Sequence, residues 1–544
     1  MSGSRDSPAA PASAFGAPRD LPPAPRPSAR EPALAALFLV ALYTALRQRT
    51  WSLDGAIHTM ASVRPMDAAD PGHLLLRPLA WGWTSLFAAG GSLSFAQRYA
   101  LLHVLFAALG VASLVILFTL VRSRVGAVGA WTSLAAVALM RCTERQIVNL
   151  DEKPLGMFLF AVAVLVTDRT FERSRGRAHE PSARELLPMG LAWVLAVAGH
   201  LQNAPFAVAS VAASLATFHG AGRVRRWGVM LSRLIPLLAL GGAVLVMLLH
   251  AGAGGWAALP RLADQLFVHR PAPPAAGSLV ALAKITILGW VKAFFIVDRL
   301  SPHWASPVAA AGWLALLGAM GLGVRRQRGP LVVALVAGSI GLLLLAPAAN
   351  YFPDYGDSYT MVVLAAFVLL AAAPRAALAI ATALVLVVNL PAAIGYSFPE
   401  TTIQQQLTRM VRVQNERGAP WLLLDELRPF DLEQGLAPVY YAMSESLRVE
   451  HATLATLPAG EFLLELPQPI ERDGSVRPGR VETIRGRLAA QGRSAQPARL
   501  CDPLAEVRSD FRRYGEYLVV PAASPATTPR AGAPGTVTSK PRAR

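Results

Sequence analysis

Long apolar segments, separated by short loops rich in arginine, constrain the fold of this chain more than any other feature of its sequence. Hydrophobic residues make up 53% of the 544 residues, charged residues only 16%, and the mean hydropathy is +0.41. In an average soluble domain, charged residues make up about 25% of the chain. The sequence therefore predicts a mainly α-helical, polytopic membrane protein.

Charge and cysteine content exclude two other classes of protein. The formal net charge is +17, but the arginines cluster between apolar segments, where they serve as topology signals and not as a nucleic-acid surface. Cys142 and Cys501 are too few and too far apart for a disulfide framework or a zinc site. We expect no nucleic-acid partner and no cysteine chemistry.

The apolar segments predict about 11 transmembrane helices, several of them short enough to end below the membrane surface and line a polar cavity. The stretch 279–297 is apolar enough to span, but Lys284 and Lys292 favour an interfacial or re-entrant helix. With that choice the chain begins in the cytoplasm, ends outside and keeps its arginine clusters cytoplasmic. The predicted spans lie near residues 33–48, 99–121, 125–140, 154–167, 187–199, 204–218, 228–251, 305–324, 330–349, 359–373 and 376–397.

Composition divides the chain into domains. Residues 1–32 and 522–544 are rich in Pro, Ala and small polar residues and are predicted to be disordered tails, the first one cytoplasmic. Between them lie the transmembrane domain, 33–397, and a small extracytoplasmic α/β domain, 400–521. In the α/β domain we predict a helix at 400–417 and strands at 421–425, 461–466 and 517–520.

Polar residues gather in four segments that the predicted topology places on the extracytoplasmic side. They are the first loop with Asp54, His58, His73 and Arg77, and the segments 144–153, 200–203 and 350–359. Charged groups near lipid are costly unless they serve a polar cavity, so their shared side predicts a common site. Two alternatives stay open: residues 144–153 could be a solvated, salt-bridged turn, and His200 could be an ordinary helix-end histidine.

The order of these motifs resembles a known family. Asp54 followed by the motif at 73–79 (HLLLRPL), an acidic second loop and the His200-Leu201-Gln202 break are similar to bacterial GT-C-fold glycosyltransferases that use polyprenol-phosphate sugars, including the protein mannosyltransferase-like proteins. The resemblance covers roughly residues 33–397. It implies a GT-C-like helical bundle.

The resemblance also implies roles for individual residues. Asp54 would be the general base, and the acids of the second loop would share the catalytic work, without a unique choice among Glu144, Asp151 and Glu152. His200 and Gln202 would lie beside the donor phosphate. Since the segment 351–354 (YFPD) departs from the family's Trp-x-Pro-like motif, Asp354 and Asp357 are only additional candidates, as are His58 and His73.

The implied reaction moves a sugar, with inversion, from a polyprenyl-phosphate donor to a lipid, glycan or protein acceptor outside the bacterial inner membrane. Such a transfer needs a carboxylate to take the acceptor proton and positive charge to hold the leaving phosphate. The charge could come from Arg77, Arg145, Lys153 or a protonated His200. A divalent metal ion held by Asp54 and a second-loop carboxylate is equally compatible.

Two alternatives from other classes fit part of the pattern. A polysaccharide polymerase or ligase would share the lipid-linked substrate and the outward site. A lipid or solute transporter would also keep charged residues in the membrane, but the halves of this chain show no repeat of the kind that transporters often carry.

Overall fold

The protein is described here from a computed structural model. The structure describes residues 28, 30–47, 55, 58–59, 62, 75–88, 91, 93–174, 183–217, 242, 279–297, 301–327, 329–348, 356–397, 411, 414–424, 449–453, 455–457, 460–465, 479–490, 492–494, 496–498 and 517–520. The chain divides into two compact units, Met1–Glu400 and Thr401–Arg544.

The described part of the first unit is helical. Its helices are α1 (Arg30–Ala45), α2 (Leu76–Phe87), α3 (Phe95–Val125), α4 (Ala127–Ala138), α5 (Arg141–Val148), α6 (Lys153–Ser174), α7 (Ala183–Gly199), α8 (Ala204–Thr217), α9 (Leu279–Phe294), α10 (Ala305–Arg326), α11 (Pro330–Ala348), α12 (Thr360–Ala371) and α13 (Arg375–Ser397). Short 3₁₀ turns at Leu201–Asn203 and Gly356–Tyr359 precede α8 and α12.

Among the described residues, four helices are long and apolar enough to cross a membrane, namely α3, α6, α10 and α13. Shorter apolar helices, among them α4, α7 and α11, accompany them. These helices, with the high hydropathy of the whole chain, make this an integral membrane protein and confirm the predicted mainly α-helical class. Of the span predicted at 228–251, residue 242 alone is among the described residues, and it is helical.

The centre of the bundle is α12. Every one of its 12 residues is buried, and none is charged. At 1.5 Å per residue it is about 18 Å long, too short to cross a hydrocarbon core of about 30 Å. The polar turn Gly356–Tyr359 at its start is also buried, so polar groups continue directly from this apolar helix into the protein interior.

Close helix contacts in this unit use small residues. Gly338 and Gly341 of α11 let Phe206 and Pro205 of α8 approach so closely that an added Cβ would lie 2.4 Å and 3.0 Å from their side chains. Helix association in membranes depends on such packing, because lipid offers no hydrophobic driving force.

Two ion pairs join three helices at the end of the bundle where α1 begins. Arg122 at the end of α3 binds both carboxylate oxygens of Glu31, with Nη2 3.0 Å from Oε1. Arg124 pairs with Asp168 of α6. Asp168 is near the C-terminal end of α6, so Lys153, its first residue, lies at the end of the helix away from these ion pairs.

The second unit contains a five-stranded mixed sheet, as the predicted α/β class requires. Its elements are β1 (Trp421–Leu424), β2 (Val449–Ala452), β3 (Phe462–Glu465), α14 (Gly479–Ala490), β4 (Gln496–Ala498) and β5 (Tyr517–Val520). The strand order is β2-β1-β3-β5-β4. β1 pairs in parallel with β2 and β3, while β5 is antiparallel to β3 and β4.

Candidate active site

The short helix α5 carries the second polar segment into the bundle. Its Ile147 packs against Gly110 of α3, where a Cβ would lie 2.5 Å from the Ile147 side chain. His103 of α3 lies beside the backbone of Val148 and Ile147 at the end of α5. Six of the eight residues of α5 are buried, which makes it a fixed platform and not a solvated turn.

The turn Gly356–Tyr359 packs directly on α5. The Cys142 thiol donates to the carbonyl oxygen of Gly356 at 3.1 Å, and its Sγ lies 3.7 Å from Oδ1 of Asp357. Burial raises the pKa of the Cys142 thiol, and the charge of Asp357 raises it further, so Cys142 remains a hydrogen-bond donor. Sequence reasoning assigned no role to Cys142, because a lone buried cysteine resembles any small apolar residue.

The same turn is held from two further sides. Gln202 donates from Nε2 to the carbonyl oxygen of Asp357 at 2.9 Å, and the Thr360 hydroxyl donates to the same oxygen at 2.9 Å. Gly356 lies against the end of α9, where an added Cβ would be 2.5 Å from the carbonyl oxygen of Lys292. Only glycine fits this approach of two backbones, so the position of Asp357 is closely fixed.

A small ion-pair network links the first loop with the second. Lys153 Nζ lies 2.9 Å from Glu152 Oε1 and 3.2 Å from Asp151 Oδ1. The other carboxylate oxygen of Glu152 is 3.2 Å from Nε2 of His58. His58 belongs to the segment predicted as the first loop, in which the described residues Gly55, His58 and Thr59 are helical. The contact places His58 beside the start of α6.

The break between α7 and α8 is built by two buried polar side chains. His200 accepts a hydrogen bond at Nδ1 from the backbone N–H of Gln202 at 3.1 Å, which assigns the proton of a neutral ring to Nε2. Asn203 donates from Nδ2 to the carbonyl oxygens of Ala196 at 2.7 Å and Gly156 at 3.3 Å. His200 is fully buried, so its position depends on the helices around it.

Burial and charge act differently on two carboxyl groups of the site. Burial raises the pKa of Glu144 to about 7, although Arg145 and Arg141 oppose the shift. Burial also raises the pKa of Asp357, but Arg145, Lys153 and Arg141 outweigh it and hold that pKa below its usual value. Near neutral pH, Asp357 is therefore ionised, while Glu144 is divided between its two forms.

An asparagine that the sequence analysis did not single out supports both halves of the site. Asn389 of α13 donates from Nδ2 to the carbonyl oxygens of Leu139 at 2.8 Å and Phe294 at 2.7 Å. Its Oδ1 accepts from the backbone N–H of Ile296 at 2.8 Å. It thus ties the end of α4, just before α5, to the end of α9. A lone amide inside an apolar span was the available signal.

The structure thus brings together residues from all four predicted polar segments. Contacts join His58 to Glu152, Gln202 to Asp357, and Asp357 to the start of α5. Arg77 lies in the first turn of α2, and the residue before that helix, Leu75, donates to the carbonyl oxygen of Ala198 near the His200 break. Three predicted site residues, Asp54, His73 and Asp354, lie outside the described residues.

The described residues do not offer a metal site. Within that part of the chain, no three His, Cys, Asp or Glu side chains gather as a ligand set. Asp151 and Glu152 direct carboxylate oxygens at Lys153, and Glu152 also meets His58, so these two acids already have partners. This donor set fits a salt-bridged network better than a divalent ion.

Comparison with known proteins returns few relatives. No protein-family model matches the chain, and no curated protein matches it. Two crystal structures of ArnT from Cupriavidus metallidurans are similar in fold. The apo structure has 16% sequence identity and a TM-score of 0.38, covering 90% of this chain and 97% of its own. The structure bound to undecaprenyl phosphate has 13% identity and a TM-score of 0.35, covering the same shares of both chains.

At these TM-scores and identities, the likeness is too distant to carry a reaction or a residue role over to this chain. Function is therefore inferred from the chain's own residues.

Proposed function

We propose that this membrane protein is a glycosyltransferase that moves a sugar from a polyprenyl-phosphate donor to an extracytoplasmic acceptor, with inversion. The observation that carries the proposal is the meeting of acids, cations and amides from four separated segments around α5 and the Gly356–Tyr359 turn. A structural membrane protein has no need to bury so many polar groups together.

The residue types match the needs of the reaction. A carboxylate must take the proton of the acceptor hydroxyl, and Asp54 has that role in the proposal. Positive charge must stabilise the phosphate as the bond from the sugar carbon to the phosphate oxygen breaks, and Arg145 and Lys153 of the second loop supply it. Inversion follows when the acceptor oxygen attacks the face of the sugar opposite to the phosphate.

Asp54 can be tested by an isosteric change. Asp54→Asn keeps the size of the side chain but removes its basicity, so a general base should lose about 10²–10⁴-fold in rate while the fold survives. Transfer from radiolabelled polyprenyl-phosphate sugars would be measured in membranes. Asp67→Asn and Asp70→Asn, in the same loop, are the matched controls and should retain activity. Wild-type transfer by Asp54→Asn would reject this role and make the second-loop acids the leading candidates.

The proposed orientation places the N-terminus in the cytoplasm and the second unit outside. At the arginine-rich end of α3, Arg122 pairs with Glu31 and Arg124 pairs with Asp168 of α6. The polar site lies at the other end of α6, beside its first residues. This separation supports the positive-inside assignment. A reporter fused at Gly535 should therefore report an extracytoplasmic location, and one placed within 175–182 a cytoplasmic one. A cytoplasmic signal at Gly535 would make 279–297 a true span.

A further inference from the structure

Two arginines of α5 form a cationic face beside the site. Arg141 and Arg145 are four residues apart, so they lie one above the other on the helix. Arg141 is half-buried, and within the described part of the chain no hydrogen bond or ion pair engages its guanidinium group. Its planar fork of donors is suited to bind two oxygens of one phosphate group.

The carboxylate of Asp357 lies against α5 close to this pair. Cys142 lies three residues before Arg145 and is therefore its neighbour on the helix surface, and its Sγ is 3.7 Å from Oδ1 of Asp357. Unlike Asp151 and Glu152, Asp357 makes no ion pair with a described residue. Its negative charge is therefore available to act on the arginines through space.

Asp357 cannot move far from this position. The hydrogen bond from Gln202 to its carbonyl oxygen, the thiol of Cys142 on Gly356, and the backbone of Lys292 against Gly356 hold the turn from three sides. Because the Asp357 side chain is only 4% exposed, its carboxylate has little room to turn away from α5. Its negative charge there reduces the attraction of the two arginines for an incoming anion.

We propose that Arg141 and Arg145 form a phosphate-binding pair and that Asp357 is its fixed counter-anion, which weakens phosphate binding so that the product can leave. Tight binding of the leaving phosphate in the ground state would slow turnover without helping the chemical step. The inference rests on the proposed function, because the phosphate is that of the lipid carrier.

The test measures the affinity of the purified full-length protein for undecaprenyl phosphate in phosphatidylcholine nanodiscs. Asp357→Asn keeps an oxygen for the Cys142 thiol but removes the charge, so the Kd should fall about tenfold. Asp357→Glu keeps the charge and should stay near wild type. Arg141→Gln should raise the Kd about tenfold. Glu172→Gln, an exposed acid at the far end of α6, is the matched control and should change nothing.

Inorganic phosphate, used as a competitor, separates the sources of the phosphate group. If it displaces the lipid and does so more strongly in Asp357→Asn, the pair recognises phosphate whatever its carrier. If only undecaprenyl phosphate shows the tighter binding, the lipid chain is also required. Both results support the proposal.

Three results would overturn it. The first is unchanged or weaker binding of both probes by Asp357→Asn in a folded protein. The second is loss of transfer in that variant at unchanged affinity, which would make Asp357 a catalytic base. The third is wild-type affinity in Arg141→Gln, which decides the question even if the Asp357 variants do not fold. Failure of the wild type to bind undecaprenyl phosphate would instead reject the proposed function itself.

Discussion

The imidazole of His58 lies 3.2 Å from the carboxylate of Glu152, and this contact joins the first loop to the start of α6. Glu152 also binds Lys153 through its other oxygen at 2.9 Å. The proposed base, Asp54, is four residues before His58 in the chain. A change in this contact should therefore alter the position of Asp54, even if neither His58 nor Glu152 touches the substrate.

We expect Glu152→Gln to lower sugar transfer about tenfold, with a normal amount of protein in the membrane. The neutral amide keeps the size of the side chain but loses the attraction for His58 and Lys153. His58→Gln should have a similar effect, and the double variant should be little worse than either single one, because both remove the same contact. If the loss of rate in the double variant equals the product of the two single losses, the two residues act separately.

Gly156 of α6 offers a way to move His200 without replacing it. A Cβ at this position would lie 2.5 Å from Cβ of His200, so Gly156→Ala should displace the ring and with it the Leu201–Asn203 turn. Misplacing groups by about 1 Å can cost up to about 100-fold in rate, and we expect a loss of that order in transfer. Thermal unfolding of the detergent-solubilised protein should show a smaller change.

The control for this experiment is Gly321→Ala in α10, where an added Cβ meets nothing within 4 Å. It should leave transfer unchanged, since a helical glycine with open space around it tolerates alanine. If Gly156→Ala were as active as Gly321→Ala, the placement of His200 would not matter for the reaction.

Much of the helical framework was predictable because hydropathy alone defines it. The segments predicted at 305–324 and 330–349 correspond to α10, Ala305–Arg326, and α11, Pro330–Ala348. The strand predicted at 517–520 is β5. In these segments, burial or lipid exposure requires nearly every residue to be apolar. The residues of each segment are therefore enough to predict it, without knowledge of its neighbours in the fold.

Two strands were missed for a shared reason. β2 (Val449–Ala452) and β4 (Gln496–Ala498) are the edge strands of the sheet, and their sequences, VEHA and QPA, contain polar residues or proline. Edge strands commonly carry such residues, because only one side of each is paired. Their existence depends on backbone pairing with β1 and β5, which an apolar pattern does not reveal.

The site was predictable as a set of polar segments but not as a set of contacts. Sequence reasoning named Asp151 and Glu152 as candidate catalytic carboxylates and Lys153 as a candidate phosphate ligand. In the structure these three side chains pair with one another, which the sequence did not indicate. The hydrogen bonds of Asn389 join segments about 95 and 250 residues away, and no local pattern encodes them. Such contacts follow only from the packing of the helices.

The buried Glu144 of α5 predicts a particular dependence of stability on pH. Its pKa in the folded protein is raised to about 7 from its ordinary value of 4.5, mainly by burial. The folded state therefore holds a proton that the unfolded state has lost between these values, and stability falls as pH rises through that window. The contribution is fully present below the lower value and is lost once the pH passes the upper one.

Glu144→Gln should remove this dependence, because the amide resembles the protonated acid in size and cannot ionise. Between about pH 5 and pH 8, we expect wild type to lose about 2 kcal/mol of stability relative to this variant. Thermal unfolding in detergent at a series of pH values would measure it, with the exposed Glu172→Gln as a control that should follow wild type. If the curves of wild type and Glu144→Gln run parallel across this range, burial of Glu144 does not shift its ionisation, and the acid is charged in the folded protein.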